Sequence, residues 1–123
     1  MLRTRKKHKP SYKPLTHHQK VKAERDERAS ERAVQIKATY KAERPYCERH
    51  LALWNQTVPG GPLHHIMGGS YGRVDEVWNL LVLCYTCHIH VHTHMDRERP
   101  RCIEIKRANG EWDQAAYERA KRP

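Results

Sequence analysis

The chain has 123 residues, of which 37% are apolar and none is Phe, so it has room for one modest domain with a thin hydrophobic core that needs further support. Its formal net charge of +10 favours a polyanionic partner, and nucleic acid is the leading one. No apolar run approaches the ~20 residues of a membrane span and the N-terminus has no apolar signal segment, so we expect a cytoplasmic protein and no membrane partner.

The first predicted unit, residues 1–45, combines a basic arm with a charged helix. Residues 1–22 contain no acidic side chain, and such an arm can lie along DNA phosphates. The predicted nucleic-acid-binding residues are the basic residues of this arm: Arg3, Arg5, Lys6, Lys7, Lys9, Lys13, Lys20 and Lys22.

A helix is predicted over residues 16–44, which lack Gly and Pro and are rich in Ala, Glu, Lys, Arg and Gln. Its few sizeable apolar residues cannot bury much surface, so we expect a projecting helix supported by pairs such as Glu24 with Arg28. Two interpretations stay open, a merely solvated helix and a helix that contacts DNA.

The second unit, residues 46–100, contains two pairs of metal-binding residues. Cys47 and His50 form a C-x2-H pair, and Cys84 and Cys87 form a C-x2-C pair. A two-residue spacer lets both side chains of a tight turn reach one ion, and two such turns complete the tetrahedron that structural zinc prefers. Two unrelated buried thiols at positions 84 and 87 are the alternative, and a disulfide is another, although a reducing cytoplasm favours metal.

Seven of the ten histidines also lie in this segment. The apolar run 80–83 predicts a short strand, and residues 62–67 predict its hairpin partner across a glycine-rich loop. His88 and His92 are four residues apart, which places both imidazoles on one face of a helix. This order of elements is expected to bring them close to His64 and His65, although one of these two can be a plain core or surface histidine because strand neighbours face opposite sides.

The order of these motifs resembles the HNH endonuclease family over residues 46–94. The residues His64-His65-Ile66 match the family's acidic or His residue followed by His-Ile, and NLLVLCYTCH at 79–88 matches its N-L-x-x-L-C-x-x-C-H without a gap. The resemblance implies a small α+β fold, with a ββα-metal core and zinc knuckle flanked by the basic arm and helix and by a C-terminal helix. It also implies a bacteriophage or bacterial setting.

The resemblance further implies a role for each matching position. His65 is the general base that takes a proton from the attacking water, while His64 and His88 hold a catalytic divalent ion with His92 as third ligand. Asn79 ties down the hairpin loop and so orients His65. Imidazole ligands favour Mn²⁺, Ni²⁺, Co²⁺ or Zn²⁺, whereas many family members use Mg²⁺, so the ion stays open.

The third unit, residues 101–123, is predicted to pack on the core. Residues 102–106 alternate like a strand, Asn109-Gly110 marks a turn, and residues 111–121 favour a helix. Cys102 is expected to be a small buried hydrophobe, and His90 and His94 are expected to be exposed. The predicted core contacts of the unit are Ile103, Ile105, Trp112 and Tyr117.

Three classes of function fit these patterns. The first is an HNH endonuclease that nicks DNA with little sequence preference, as a monomer or weak dimer. The second is a non-catalytic, zinc-stabilised nucleic-acid-binding module, which the arm and knuckle fit equally well, and the third is a disulfide-linked secreted nuclease. The grouping of His64 and His65 with Asn79, His88 and His92 favours the first class, because a purely structural metal site does not require it.

Overall fold

The computed structural model of the chain describes residues 13–68 and 74–122, and this part has a small α+β fold. It contains five α-helices and one two-stranded antiparallel sheet, in the order α1 (His17–Glu43), α2 (Glu48–Trp54), β1 (Leu63–His65), β2 (Leu80–Val82), α3 (Tyr85–Thr93), α4 (Met95–Ala108) and α5 (Gln114–Lys121). Within these residues no helix combines the length and the apolar character needed to cross a membrane. The predicted arm residues Arg3, Arg5, Lys6, Lys7 and Lys9 lie outside the described residues, as does most of the glycine-rich loop.

The helix predicted over residues 16–44 is present as α1. Thr16 caps it, because its hydroxyl accepts from the Gln19 amide at 3.2 Å while the Gln19 side chain accepts from the Thr16 amide at 3.0 Å. Burial begins near its end, at Tyr40, and most earlier residues are exposed. The helix therefore projects as expected, but the predicted Glu24–Arg28 ion pair is not among the ion pairs of the described residues.

The predicted hairpin is also present. Strands β1 and β2 pair antiparallel with His64 opposite Leu81 and His65 opposite Leu80. Because alternate residues of a strand face opposite sides, His64 is buried whereas His65 is half-buried at the surface. The chain enters the hairpin past Gly61, where a Cβ atom would lie 2.9 Å from the Leu83 carbonyl oxygen, so this approach requires glycine.

The main apolar core joins the hairpin to the helices that follow it. Its buried members are Cys47, Ile66, Leu81, Leu83, Cys87, Val91, Cys102 and Ile105. Ile103 and Trp112 pack against this cluster, and Tyr117 lies with its ring centroid 5.0 Å from that of Trp112. The C-terminal residues therefore contact the core through the side chains that the sequence predicts, and Cys102 is buried as expected.

The strand predicted over residues 102–106 is wrong, because α4 runs through it. Cys102, Ile105 and Lys106 are buried, and their spacing of three and four residues is that of one helix face. The alternation of apolar and polar residues at 102–106 therefore reflects a helix with one buried side. Pro100 lies inside α4 and does not end it. The break between α3 and α4 is at His94, whose φ of −122° and ψ of 44° are not helical.

A buried polar network supports this thin core. The Tyr40 hydroxyl donates to Glu48 Oε2 at 2.7 Å and accepts from Lys106 Nζ at 3.0 Å. Glu48 Oε2 also accepts from the Val82 amide at 2.7 Å, on the free edge of the sheet, and Lys106 Nζ donates to Glu111 at 3.2 Å. The network ties α1, α2, β2 and α4 together.

Candidate metal centres

The four predicted knuckle residues meet in space. Cys47 precedes α2 and His50 lies within it, while Cys84 precedes α3 and Cys87 lies in its first turn. His50 Nδ1 is 3.3 Å from Cys47 Sγ, 3.5 Å from Cys84 Sγ and 3.2 Å from Cys87 Sγ. The N-terminal ends of α2 and α3 thus bring four ligand atoms together around one possible metal position.

These distances fit a zinc ion. Tetrahedral zinc with ordinary Zn–S and Zn–N bonds separates its sulfur and nitrogen ligands by about 3.6 Å, close to the distances found. All four cysteines of the chain are described and all are free thiols, so this structure contains no disulfide. Burial raises the pKa of the Cys87 thiol to about 12, so zinc has to displace a firmly held proton when it binds.

A buried arginine lies against the knuckle. The Arg49 guanidinium donates to Cys87 Sγ at 3.4 Å and lies 3.4 Å from Glu98 Oε2, and both charged side chains are almost fully buried. Three thiolates around one dication leave a net charge of −1, which this guanidinium opposes. No sequence pattern singled out Arg49, which lies in the two-residue spacer between Cys47 and His50.

The second group of ligand atoms belongs to His64, His88 and His92. His64 lies on β1 and the other two lie one turn apart on α3. One ring nitrogen of each lies within 4.8 Å of the others, and Nε2 of His88 is 3.1 Å from Nε2 of His92. The expected convergence of these three imidazoles is therefore present.

His64 is the unusual member of this group. It is 1% exposed, yet neither of its ring nitrogens has a hydrogen-bond partner among the described residues. Burial lowers its pKa to about 3, with further lowering by the neighbouring His92, His88 and His65, so the ring is neutral at physiological pH. Burial and His92 also lower the pKa of His88. Neutral imidazoles are the form that binds metal, and an ion would satisfy a nitrogen that the protein leaves without a partner.

His65 faces a cleft of about 630 Å³ that His88 and His92 also line. Its Nε2 lies 2.7 Å from Asp75 Oδ1, so Nε2 donates to the carboxylate and Nδ1 is left for another contact. Asp75 was not predicted, because its place beside His65 depends on the path of the hairpin loop. The pair resembles other carboxylate–imidazole pairs in which the acid fixes the tautomer of the base.

Asn79 closes the loop of the hairpin as predicted. Its side-chain oxygen accepts from the Met67 amide at 2.7 Å, and its Nδ2 donates to the carbonyls of Met67 at 3.1 Å and Val74 at 2.8 Å. Val74 is next to Asp75, so Asn79 holds both sides of the segment that presents the His65–Asp75 pair.

The other histidines of α3 differ from their prediction. His90 and His94 are half-buried and not fully exposed, because His90 Nε2 lies 3.2 Å from the buried Glu98 and His94 accepts from Arg97 at 2.9 Å. Neither belongs to the two groups of ligand atoms. The arm residues that the structure does describe, Lys13, Lys20 and Lys22, are exposed.

No family model, curated protein or solved structure matches this chain. The described residues form a small α+β fold with two clusters of possible metal ligands. One is rich in cysteine and can hold a metal ion such as zinc, and the other consists of three histidines.

Proposed function

We propose that the protein is a metal-dependent endonuclease of the HNH type that hydrolyses phosphodiester bonds of DNA. The observation that carries this proposal is the buried His64, whose nitrogens have no partner in the described residues and which adjoins His88 and His92. A purely structural knuckle does not need this second cluster. Perturbed titratable groups that meet at a cleft are typical of catalytic sites.

In this proposal the three imidazoles hold a divalent ion beside the cleft. A bound cation can polarise a phosphoryl oxygen and offset the charge that develops on the departing oxygen. The nitrogen-only ligand set favours Mn²⁺, Ni²⁺, Co²⁺ or Zn²⁺ over Mg²⁺.

His65 acts as the general base in the same proposal. Because Asp75 engages its Nε2, the free Nδ1 can take the proton of the attacking water, and the carboxylate stabilises the imidazolium that results. Asn79 keeps this pair in place through its contacts with both sides of the loop.

The charge distribution supports DNA as the substrate. Residues 1–16 carry six of the ten net positive charges, whereas residues 44–94, which contain both clusters, have no net charge. DNA affinity would therefore come mainly from the parts of the chain outside residues 44–94.

Incubation of supercoiled plasmid with the zinc-loaded protein and Mn²⁺, Ni²⁺ or Mg²⁺ tests the proposal. We expect nicked circles, a loss of about 10²–10⁴-fold in rate for His65→Ala, and a smaller loss for Asp75→Asn. His90→Ala is the matched control, because His90 lies on α3 but outside the cluster, and it should nick like the wild type.

A non-catalytic nucleic-acid-binding module is the second candidate, because the knuckle is geometrically complete without the histidine cluster. It predicts a protein that retards DNA in a gel but leaves the plasmid supercoiled under all three ions. That result would reject the endonuclease and establish the binding module.

A further inference from the structure

Arg99 borders the cleft that contains the histidines. The cleft is lined by Leu63, His65, Gly68, His88, His92, Met95 and Arg99. Arg99 lies on α4, one residue after the buried Glu98, and it is the cationic side chain among these lining residues.

The guanidinium of Arg99 is held from one side. Its Nε donates to the Ile66 carbonyl at 3.1 Å, immediately after the strand that carries His64 and His65, and the residue is half-buried. This bond fixes the orientation of the planar group and leaves its two terminal nitrogens for another ligand.

Arg99 also has no acidic partner in the described part of the chain. No carboxylate lies within 4 Å of it in the described residues, and the segments outside them contain no Asp or Glu. Other arginines of the fold are paired with carboxylates at that distance: Arg32, Arg44, Arg49, Arg101 and Arg107. An anchored guanidinium without a counterion, at the mouth of a cleft, is suited to an anion.

We propose that Arg99 binds a phosphate of the DNA strand that enters the histidine cleft. This inference rests on the proposed endonuclease function and names the residue that receives the substrate. Arginine binds phosphate through two parallel N–H donors, and Arg99 keeps two nitrogens free for that contact while Nε stays on Ile66.

The first experiment measures DNA binding where no cleavage can occur. Protein that carries one zinc per chain, in the knuckle, and no second divalent ion is titrated onto a fluorescent 20-base-pair duplex at several salt concentrations. Loss of one phosphate contact should make the slope of log K against log salt less steep by about 0.9. This change corresponds to about eightfold weaker binding at 0.1 M salt. Arg99→Ala should show this change. Arg97→Ala, which removes an exposed arginine two residues earlier on α4, should leave the slope unchanged.

The second experiment separates charge from geometry. Arg99→Lys keeps the charge and should keep the salt slope, but it cannot bond to Ile66 and present two parallel donors together. In the plasmid assay with Mn²⁺ we expect kcat to fall about 10²-fold for Arg99→Ala, to recover only in part for Arg99→Lys, and to stay unchanged for Arg97→Ala. Circular dichroism and zinc content verify the fold of each variant, and Arg99→Lys is the variant used if Arg99→Ala unfolds.

Equal slopes for the Arg99→Ala and Arg97→Ala proteins would overturn the assignment, as would full kcat in Arg99→Lys. The two proposals can fail separately. If the wild type does not nick DNA but Arg99→Ala, unlike Arg97→Ala, shows the reduced salt slope, the phosphate contact stands and the endonuclease is rejected. If the wild type nicks DNA and Arg99→Ala and Arg97→Ala behave alike, the endonuclease stands and the phosphate contact is rejected.

Discussion

Replacing His64 by leucine should stabilise the protein while removing its nuclease activity. His64 is 1% exposed and both ring nitrogens lack partners in the described part of the chain, so the fold bears the cost of two desolvated polar atoms. Leucine has a similar volume and fills the same space without that cost. Sites that sacrifice stability in this way are typical of functional positions.

The expected gain follows from the cost of a buried polar group without a hydrogen bond, about 1–3 kcal/mol. At about 4 °C per kcal/mol for a domain of this size, the melting temperature should rise by about 4–12 °C. A saturating metal should reverse the order of the two proteins. An ion at 1,000 times its Kd adds about 4.1 kcal/mol to the wild type, which exceeds the expected gain of the variant, and adds little to the variant because it retains only two of the three imidazoles.

Thermal unfolding monitored by circular dichroism, with zinc in the knuckle and with or without Ni²⁺, measures both effects. His94→Leu is the control, because it replaces a half-buried histidine outside the cluster whose ring nitrogen has a partner, and it should neither gain stability nor lose the response to Ni²⁺. A His64→Leu protein that melts lower than the wild type without Ni²⁺ would refute the reasoning. It would mean that His64 already has a stabilising partner.

Three further outcomes are expected. The stability that His64→Leu gains over the wild type should grow by about 2 kcal/mol between pH 7 and pH 5 in urea titrations. The pKa of His64 is about 3 in the folded protein and about 6.5 in the unfolded chain, so the wild type loses stability as the pH falls below 6.5. Cys87→Ser should lose the bound zinc and melt at least about 10 °C lower, whereas Cys102→Ala should keep one zinc per chain in a colorimetric zinc assay. Tyr40→Phe removes a hydroxyl with two buried partners and should cost about 1–3 kcal/mol by urea unfolding; an unchanged midpoint would show that the network adds nothing.

Local sequence patterns were sufficient for the elements that carry the ligands. Three patterns depend on residues close together in the chain: the two-residue spacers of both knuckle pairs, the four-residue spacing of His88 and His92, and the run without Gly or Pro that forms α1. Such patterns are readable because backbone geometry alone fixes which neighbours share a face.

Long-range packing decided what the sequence could not. Asp75 reaches His65, and Arg99 reaches the same cleft, only because a loop and a later helix fold back onto the hairpin. The helix through residues 102–106 replaced a predicted strand for the same reason, since the alternation there fits either element until the core selects one face. Sequence spacing thus determined which side chains could form each cluster. Only the tertiary structure determined their burial, including that of His64, whose ring nitrogens have no partner among the described residues, because burial depends on contacts between residues far apart in the chain.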